Sequence, residues 1–267
     1  CKKKKSYITF NLKHTLRQNY FLDIFSLIYN MKNIYILLVI SLLISCDKSK
    51  EISITKFEGS PKYENARLKL NGAIKQVDNH YSFSFDIENY RLGEQTQKNF
   101  RYNLANSTKG QHIHLIINNG PYFAKYTNEF TQELEEENSI VLAFLSRSYH
   151  ESVKNPNAYV LKHIGKADSI DLSNEFLFYS RPKGTYEGEA TEKLLLDFYL
   201  VNTKISPNGN KVRATIQDSE FLIDEWAPYY IEGLTKGEIS IKLELIDANG
   251  DLIGSPFNPS SRTVLLK

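Results

Sequence analysis

The chain has 267 residues, with 33 Lys+Arg, 31 Asp+Glu and only two cysteines, Cys1 and Cys46. This length permits one large domain or two ordinary ones. Because no cysteine follows residue 46, the rest of the chain has neither a disulfide nor a thiolate metal site and must fold on its apolar core alone.

A lipoprotein signal is the first recognisable element. It begins at Met31, the only methionine, and continues through Lys32 and the apolar run 34–44. A bilayer span needs about 20 apolar residues, so this shorter run is typical of a signal peptide. The run ends in Leu-Ile-Ser-Cys, which looks like a bacterial lipobox with Cys46 as the lipidated residue.

The lipobox divides the amino-terminal part of the chain into three segments. We interpret 1–30 as upstream read-through without structure, 31–46 as the signal peptide and 47–51 as a polar tether. Residues 1–46 hold seven basic residues and one acid, which leaves 26 basic and 30 acidic residues. The resulting net charge of −4 argues against a nucleic-acid partner, because such partners are normally bound by a basic face.

From Ile52 onward, short strands predict an all-β fold. Hydrophobic alternation, apolar runs and turn residues indicate four strands in the first half, at 81–87, 112–117, 140–145 and 159–161. The second of these ends at Asn118-Asn119-Gly120-Pro121, a strong turn signal. Long helical periodicity is missing.

The second half of the chain repeats this order. Four collinear segment pairs match: 85–92 with 198–205, 110–114 with 209–213, 140–145 with 240–245, and 158–162 with 263–267. These matches favour a duplicated β module of about 100 residues, the size of an immunoglobulin-like sandwich. The predicted fold is therefore two tandem immunoglobulin-like β-sandwich modules, at 52–166 and 175–267.

The two copies differ most just before the second predicted strand. The first copy has the 17-residue segment 93–109, whereas the second has only 206–208. Long loops on a rigid sandwich are common binding elements.

His112 and His114 follow this loop and lie on one face of the predicted strand, since side chains alternate along a strand. Three interpretations remain open. The pair could bind Zn²⁺ or Cu²⁺ with His150 as a third ligand, or it could donate to an anion with Arg147 or Lys109 nearby. The third possibility is a half-exposed face whose histidines are only hydrogen-bonded.

Two basic loops accompany the histidines. Arg147 and His150 lie in the polar segment 146–152, and the planar guanidinium of Arg147 suits a carboxylate or phosphate. We interpret the second basic segment, 179–184, as an interdomain linker turn. The sequence has no Gly-x-Ser-x-Gly, Gly-rich phosphate loop or His-Glu-x-x-His motif, so we expect no enzymatic activity.

Several segments together carry a family resemblance. Residues 110–122, 143–152, 178–184 and 255–259 resemble a family of Bacteroidetes lipoproteins labelled "phosphopeptide-binding protein". This resemblance implies a phosphate-binding role for His112, His114, Arg147 and His150.

The leading expectation is a lipid-anchored cell-envelope protein, placed on the outer membrane, that binds a phosphopeptide or other anionic ligand. One alternative is a Zn/Cu-binding lipoprotein that uses His112, His114 and His150. The other is a non-catalytic accessory or scaffold lipoprotein that docks on an envelope protein partner.

Overall fold

The computed structural model describes residues 51–101, 103–135, 138–165 and 170–267. Within these ranges the chain forms β-strands and one short 3₁₀ helix, η1 (Gly188–Thr191), with no α-helix, so the all-β prediction is confirmed. None of the helices in the described part of the chain is long and apolar enough to cross a membrane. The predicted segments 1–30 and 31–46, with Cys46, and the tether up to residue 50 lie outside the described residues.

The first half contributes nine strands within the described residues. They are β1 (Ser53–Lys56), β2 (Arg67–Leu70), β3 (Lys75–Val77), β4 (His80–Glu88), β5 (His112–Ile117), β6 (Phe123–Lys125), β7 (Glu129–Glu133), β8 (Ser139–Ser146) and β9 (Tyr159–Ile164). Strands β4, β5, β8 and β9 are the four that the sequence predicts.

The second half contributes eight more strands. They are β10 (Phe176–Arg181), β11 (Thr185–Tyr186), β12 (Leu194–Val201), β13 (Lys211–Ile216), β14 (Ser219–Ile223), β15 (Tyr229–Glu232), β16 (Gly237–Ile246) and β17 (Ser260–Leu266). Strand β10 occupies much of the segment predicted as a linker turn, so that interpretation is wrong for Tyr179–Arg181.

The strands pair into two β-sandwiches. In the first, β2, β3 and β7 all pair with β4, and the facing sheet has the order β6-β5-β8-β9. In the second, one sheet has the order β1-β15-β12-β10 and the other β11-β17-β16-β13-β14. Two packed, largely antiparallel sheets with this division of strands define an immunoglobulin-like sandwich, and the predicted fold class is confirmed.

Strand β1 crosses from one sandwich to the other. The predicted range 52–166 assigns it to the first module, but Ser53–Lys56 pair antiparallel with Tyr229–Glu232 at the edge of the second sandwich. The main chain then returns to begin the first sandwich at β2. This strand ties the two modules together, and the described residues from 51 onward form one compact unit.

A third apolar cluster lies between the sandwiches, apart from the core inside each one. Alternation sends Ile113 and Leu115 of β5 into the first core, and Leu177 and Tyr179 of β10 into the second. The residues between them face the other way, into a shared layer that contains Ile116, Tyr122, Ile140, Leu142, Phe144, Phe176, Phe178, Tyr199 and Val201. We call this layer the intermodule core.

Where the two sandwiches meet, the central strands of the two contacting sheets are therefore buried on both faces. Strands β8, β10 and β12 are buried at every position, which is the burial pattern expected of a sheet covered on both sides. Phe144 of the first sandwich stacks on Tyr199 of the second, with ring centroids 4.6 Å apart.

Replacement of Phe144 by alanine tests this interface. We expect Phe144→Ala to lower the free energy of unfolding by about 3–5 kcal/mol, because it leaves a cavity between the sheets. Leu222→Ala is the control, since Leu222 is 59% exposed, and it should change stability by less than about 0.5 kcal/mol. Urea denaturation measures both, and equal effects would contradict an intermodule core.

Candidate metal centre

Strand β5 places His112 and His114 on its outer face, towards the intermodule core. In the register with β8, His112 lies opposite Ser146 and His114 opposite Phe144. Both histidines are 0% exposed. The interpretation as a half-exposed face is therefore wrong. His112 and His114 point away from the core of the first sandwich, but the second sandwich covers that side of the sheet.

His150 reaches the same place from the loop after β8. The Arg147 N–H donates to the Glu151 carbonyl, and the His150 N–H donates to the Arg147 carbonyl, both at 2.9 Å. These bonds form a tight turn in which His150 has a φ of +70°. A residue with a Cβ rarely adopts this left-handed conformation.

The second sandwich contains the same turn with a glycine in place of the histidine. The Asp247 N–H donates to the Asp251 carbonyl at 2.9 Å, and the Gly250 N–H donates to the Asp247 carbonyl at 3.1 Å. Gly250 has a φ of +90°, which costs glycine little. The first sandwich holds an imidazole at a backbone position that favours glycine, and such strain is concentrated at functional sites.

Three imidazole nitrogens converge at this position. The distance from His112 Nε2 to His114 Nε2 is 3.0 Å, and from His112 Nε2 to His150 Nδ1 it is 3.1 Å. All three residues offer nitrogens that lie within 4.8 Å of one another. In tetrahedral zinc sites with Zn–N bonds of about 2.0–2.1 Å, the ligand nitrogens lie roughly 3.3 Å apart. The two short separations lie close to this spacing, whereas nitrogens at the 4.8 Å limit must draw closer together before both bind one ion.

Both histidines of β5 have a hydrogen-bond partner at the outer ring nitrogen, and for His112 this partner determines which nitrogen faces the cluster as an acceptor. His112 Nδ1 lies 2.8 Å from the Gly110 carbonyl oxygen, which only accepts, so Nδ1 carries the proton and Nε2 presents a lone pair. His114 Nδ1 lies 3.3 Å from Ser180 Oγ, a hydroxyl that either accepts from this nitrogen or donates to it. Partners of this kind orient and tune the histidine ligands of metal sites.

The nitrogens of this cluster all have neighbours at hydrogen-bonding distance, and these neighbours compete with one another. The single lone pair of His112 Nε2 faces nitrogens of both His114 and His150 and accepts one good hydrogen bond at most. The Tyr122 hydroxyl lies 3.1 Å from His150 Nδ1 and competes for that nitrogen as well. A cation at the common point would satisfy all three nitrogens at once.

The electrostatics keep the imidazoles neutral. Burial is the main cause that lowers the pKa of His112 to about 4 and holds the pKa of His114 and His150 well below the ordinary value. The charges of Arg181 and Lys183 lower all three further. Metal ions bind neutral imidazole, whereas anions are bound more strongly by the protonated form.

The second sandwich supplies the cationic surroundings, which the sequence does not reveal. Burial lowers the pKa of Lys183 to about 8, and its Nζ lies 3.8 Å from the Tyr122 ring centroid. The Arg181 guanidinium carbon lies 5.3 Å from that centroid. Burial also raises the pKa of Tyr122. The apolar and aromatic run 176–179 is the sequence signal that a strand continues into Ser180 and Arg181.

Arg147 does not join the histidines. Its guanidinium pairs with Glu151 at 2.9 Å and donates to the carbonyl oxygens of Ser152 and Pro61, so it holds the loop together. Arg147 and Glu151 also line a separate cleft of about 870 Å³, whose lining residues include none of the histidines. The predicted grouping of Arg147 with His112 is therefore not seen.

The long loop between β4 and β5 supports the turn that carries His150. The Ser107 N–H donates to the Ser148 carbonyl at 2.8 Å, and the Thr96 N–H donates to Ser148 Oγ at 3.2 Å. Asn103 reaches Glu189 of the second sandwich at 2.7 Å. These bonds attach the loop to the turn that carries His150.

Comparison with known proteins finds fibronectin-III modules at low similarity. No protein-family model and no curated protein matches the sequence. Fibronectin(III)-like modules of Clostridium thermocellum CbhA are 11% identical, with a TM-score of 0.28, and the match covers 75% of this chain and 94% of theirs. The central fibronectin-III array of RIM-binding protein is 10% identical, with a TM-score of 0.24 and coverage of 76% and 69%. The FN1–FN3 domains of chicken CNTN1 are 9% identical, with a TM-score of 0.21 and coverage of 80% and 70%.

The depressed histidine pKa values predict an acid-sensitive metal-free protein. Between pH 6.5 and about 4, the unfolded chain binds protons that folded His112 does not. The free energy of unfolding should therefore fall as the pH falls through this window, by up to about 1.4 kcal/mol per pH unit for each such histidine. Urea denaturation in the presence of a chelator measures the slope. His150→Gly should make it shallower, and a slope that this variant leaves unchanged would contradict the assignment.

Proposed function

We propose that this protein is a lipid-anchored envelope protein that binds a divalent transition-metal ion, Zn²⁺ or Cu²⁺, through His112, His114 and His150. The convergence of three neutral imidazole nitrogens carries the proposal. Imidazole suits both ions, and the part of the sequence after Cys46 contains no cysteine or methionine that would favour Cu⁺. The sandwich fold is consistent with a binding or scaffold role, and we propose no catalytic step.

The anionic-ligand function that the family resemblance implies is the second candidate. Arg181 and Lys183, which lower the pKa of all three histidines, favour negative charge at the site. Against this candidate, His112 turns a lone pair rather than an N–H towards the cluster, and Arg147 is committed to Glu151. A phosphopeptide would therefore meet an acceptor where it needs a donor, and the metal-binding function is better supported.

A glycine substitution separates the metal ligand from the fold. His150→Gly removes one ligand nitrogen but relieves the left-handed backbone, because Gly250 takes the same place in the second sandwich. We expect this variant to fold with unchanged or greater stability and to bind Zn²⁺ more than about 100-fold more weakly, since loss of even an outer-shell partner costs 10–100-fold. Isothermal titration with Zn²⁺, on protein purified without an affinity tag, measures the affinity.

The control for this titration is His80→Gly. His80 is exposed at the start of β4 and lies outside the histidine cluster, so Zn²⁺ binding should match that of the unchanged protein. Binding of phosphate or a phosphopeptide, but not of Zn²⁺ or Cu²⁺, would overturn the metal proposal in favour of the anionic ligand. Wild-type binding that His150→Gly retains would place the ion elsewhere.

The anchoring part of the proposal depends on Cys46. We expect intact-mass spectrometry of protein from a host that processes bacterial lipoproteins to show Cys46 as the amino-terminal residue, with a diacylglycerol group. Two or more acyl chains give stable attachment, so the protein should sediment with membranes. Cys46→Ser should remove the lipid and release the protein from the membrane fraction or leave it unprocessed. A wild-type protein without lipid would contradict the anchor.

A further inference from the structure

A tyrosine, Tyr122, lies against the three-histidine cluster. Tyr122 is 3% exposed. Its hydroxyl oxygen lies 3.1 Å from His150 Nδ1, the same separation that links His150 to His112. Its ring stacks on the His114 ring with centroids 3.5 Å apart and an interplanar angle of 9°. The oxygen therefore lies at the spacing expected between two ligand atoms of one ion.

We propose that the Tyr122 oxygen is the fourth ligand of the metal ion, so that the site has three imidazole nitrogens and one phenolate oxygen. This inference rests on the proposed metal-binding function and specifies the coordination of that site. On binding, the phenol O–H bond breaks, the proton leaves to solvent, and the oxygen lone pair forms the bond to the ion. No oxidant or reductant is required.

The charge balance of the site favours an anionic ligand. A divalent ion with three neutral imidazoles keeps two positive charges in a buried place, and a buried charge is costly unless it is paired. Arg181 and Lys183 of the second sandwich add positive charge beside the Tyr122 ring. A phenolate reduces the net charge of the ion and its ligands, and the two cations in turn stabilise the phenolate.

The second sandwich also holds Tyr122 in place. The Lys183 ammonium donates to the Tyr122 carbonyl oxygen at 2.7 Å. Arg262 donates to the carbonyl oxygens of Asn119 and Gly120 in the preceding turn, at 3.1 and 2.8 Å. The oxygen is therefore positioned before an ion arrives, which lowers the entropic cost of binding.

A neighbouring tyrosine provides a matched control. The Tyr126 ring lies 5.0 Å from the His112 ring, close to the cluster. Its hydroxyl is hydrogen-bonded to Ser107 Oγ at 2.7 Å, within the long loop. Tyr126 resembles Tyr122 in type and proximity, but its oxygen is engaged with a different partner.

Cu²⁺ is the probe that reports this ligand directly. A phenolate bound to Cu²⁺ gives an intense visible charge-transfer absorption, which imidazole ligands alone do not produce. We expect Cu²⁺ added to the unchanged protein, and to Tyr126→Phe, to give this absorption. Tyr122→Phe should bind Cu²⁺ through the histidines at least about tenfold more weakly and without the absorption.

The outcomes separate this inference from the proposed function. Cu²⁺ binding that depends on His150 but shows no charge-transfer absorption would overturn Tyr122 as a ligand and leave the three-histidine site intact. An absorption that Tyr122→Phe retains would also overturn it. Failure of the unchanged protein to bind Cu²⁺ or Zn²⁺ at all would overturn both proposals. Circular dichroism of Tyr122→Phe checks that a loss of absorption does not reflect unfolding.

Discussion

Packing of the two sandwiches face to face is the constraint on which the rest of the structure depends. The outer face of the β6-β5-β8-β9 sheet would meet water in an isolated sandwich, but here it is covered by β10 and β12 of the second. This cover removes His112 and His114 from solvent, and desolvation then keeps their imidazoles neutral. A site that offers lone pairs rather than positive charge follows from this burial.

The equivalent positions of the second sandwich lie on a sheet face that no other sandwich covers. In the register with β16, Arg213 lies opposite Glu244, just as His114 lies opposite Phe144 in the first sandwich. Arg213 remains partly exposed and pairs with Glu244 at 2.9 Å, as a surface residue does. The turn that carries His150 in one sandwich ends in Gly250 in the other. One framework thus supports a solvated sheet face in one copy and a buried cluster of imidazoles in the other.

The sequence predicts the parts of the site that depend on local periodicity. Alternation along 112–117 places His112 and His114 on one face, and the polar segment after β8 suggests His150 as a third ligand. The pairing of β1 with β15 and the contact between Ser180 and His114 depend on residues far apart in the chain, which periodicity does not encode. The role of Arg147 is misjudged as well. Its contact with Pro61 spans 86 residues, and its ion pair with the nearby Glu151 depends on the conformation of the turn.

The central claim is that three imidazoles of the first sandwich hold one metal ion beneath the second. X-ray absorption spectroscopy at the zinc edge, on the Zn²⁺-loaded protein, tests it most directly. We expect a four-coordinate ion whose bonded nitrogen and oxygen atoms lie at about 2.0–2.1 Å, with additional scattering from the more distant atoms of three imidazole rings. A first shell of oxygen alone, or a spectrum with fewer than two imidazoles, would contradict it.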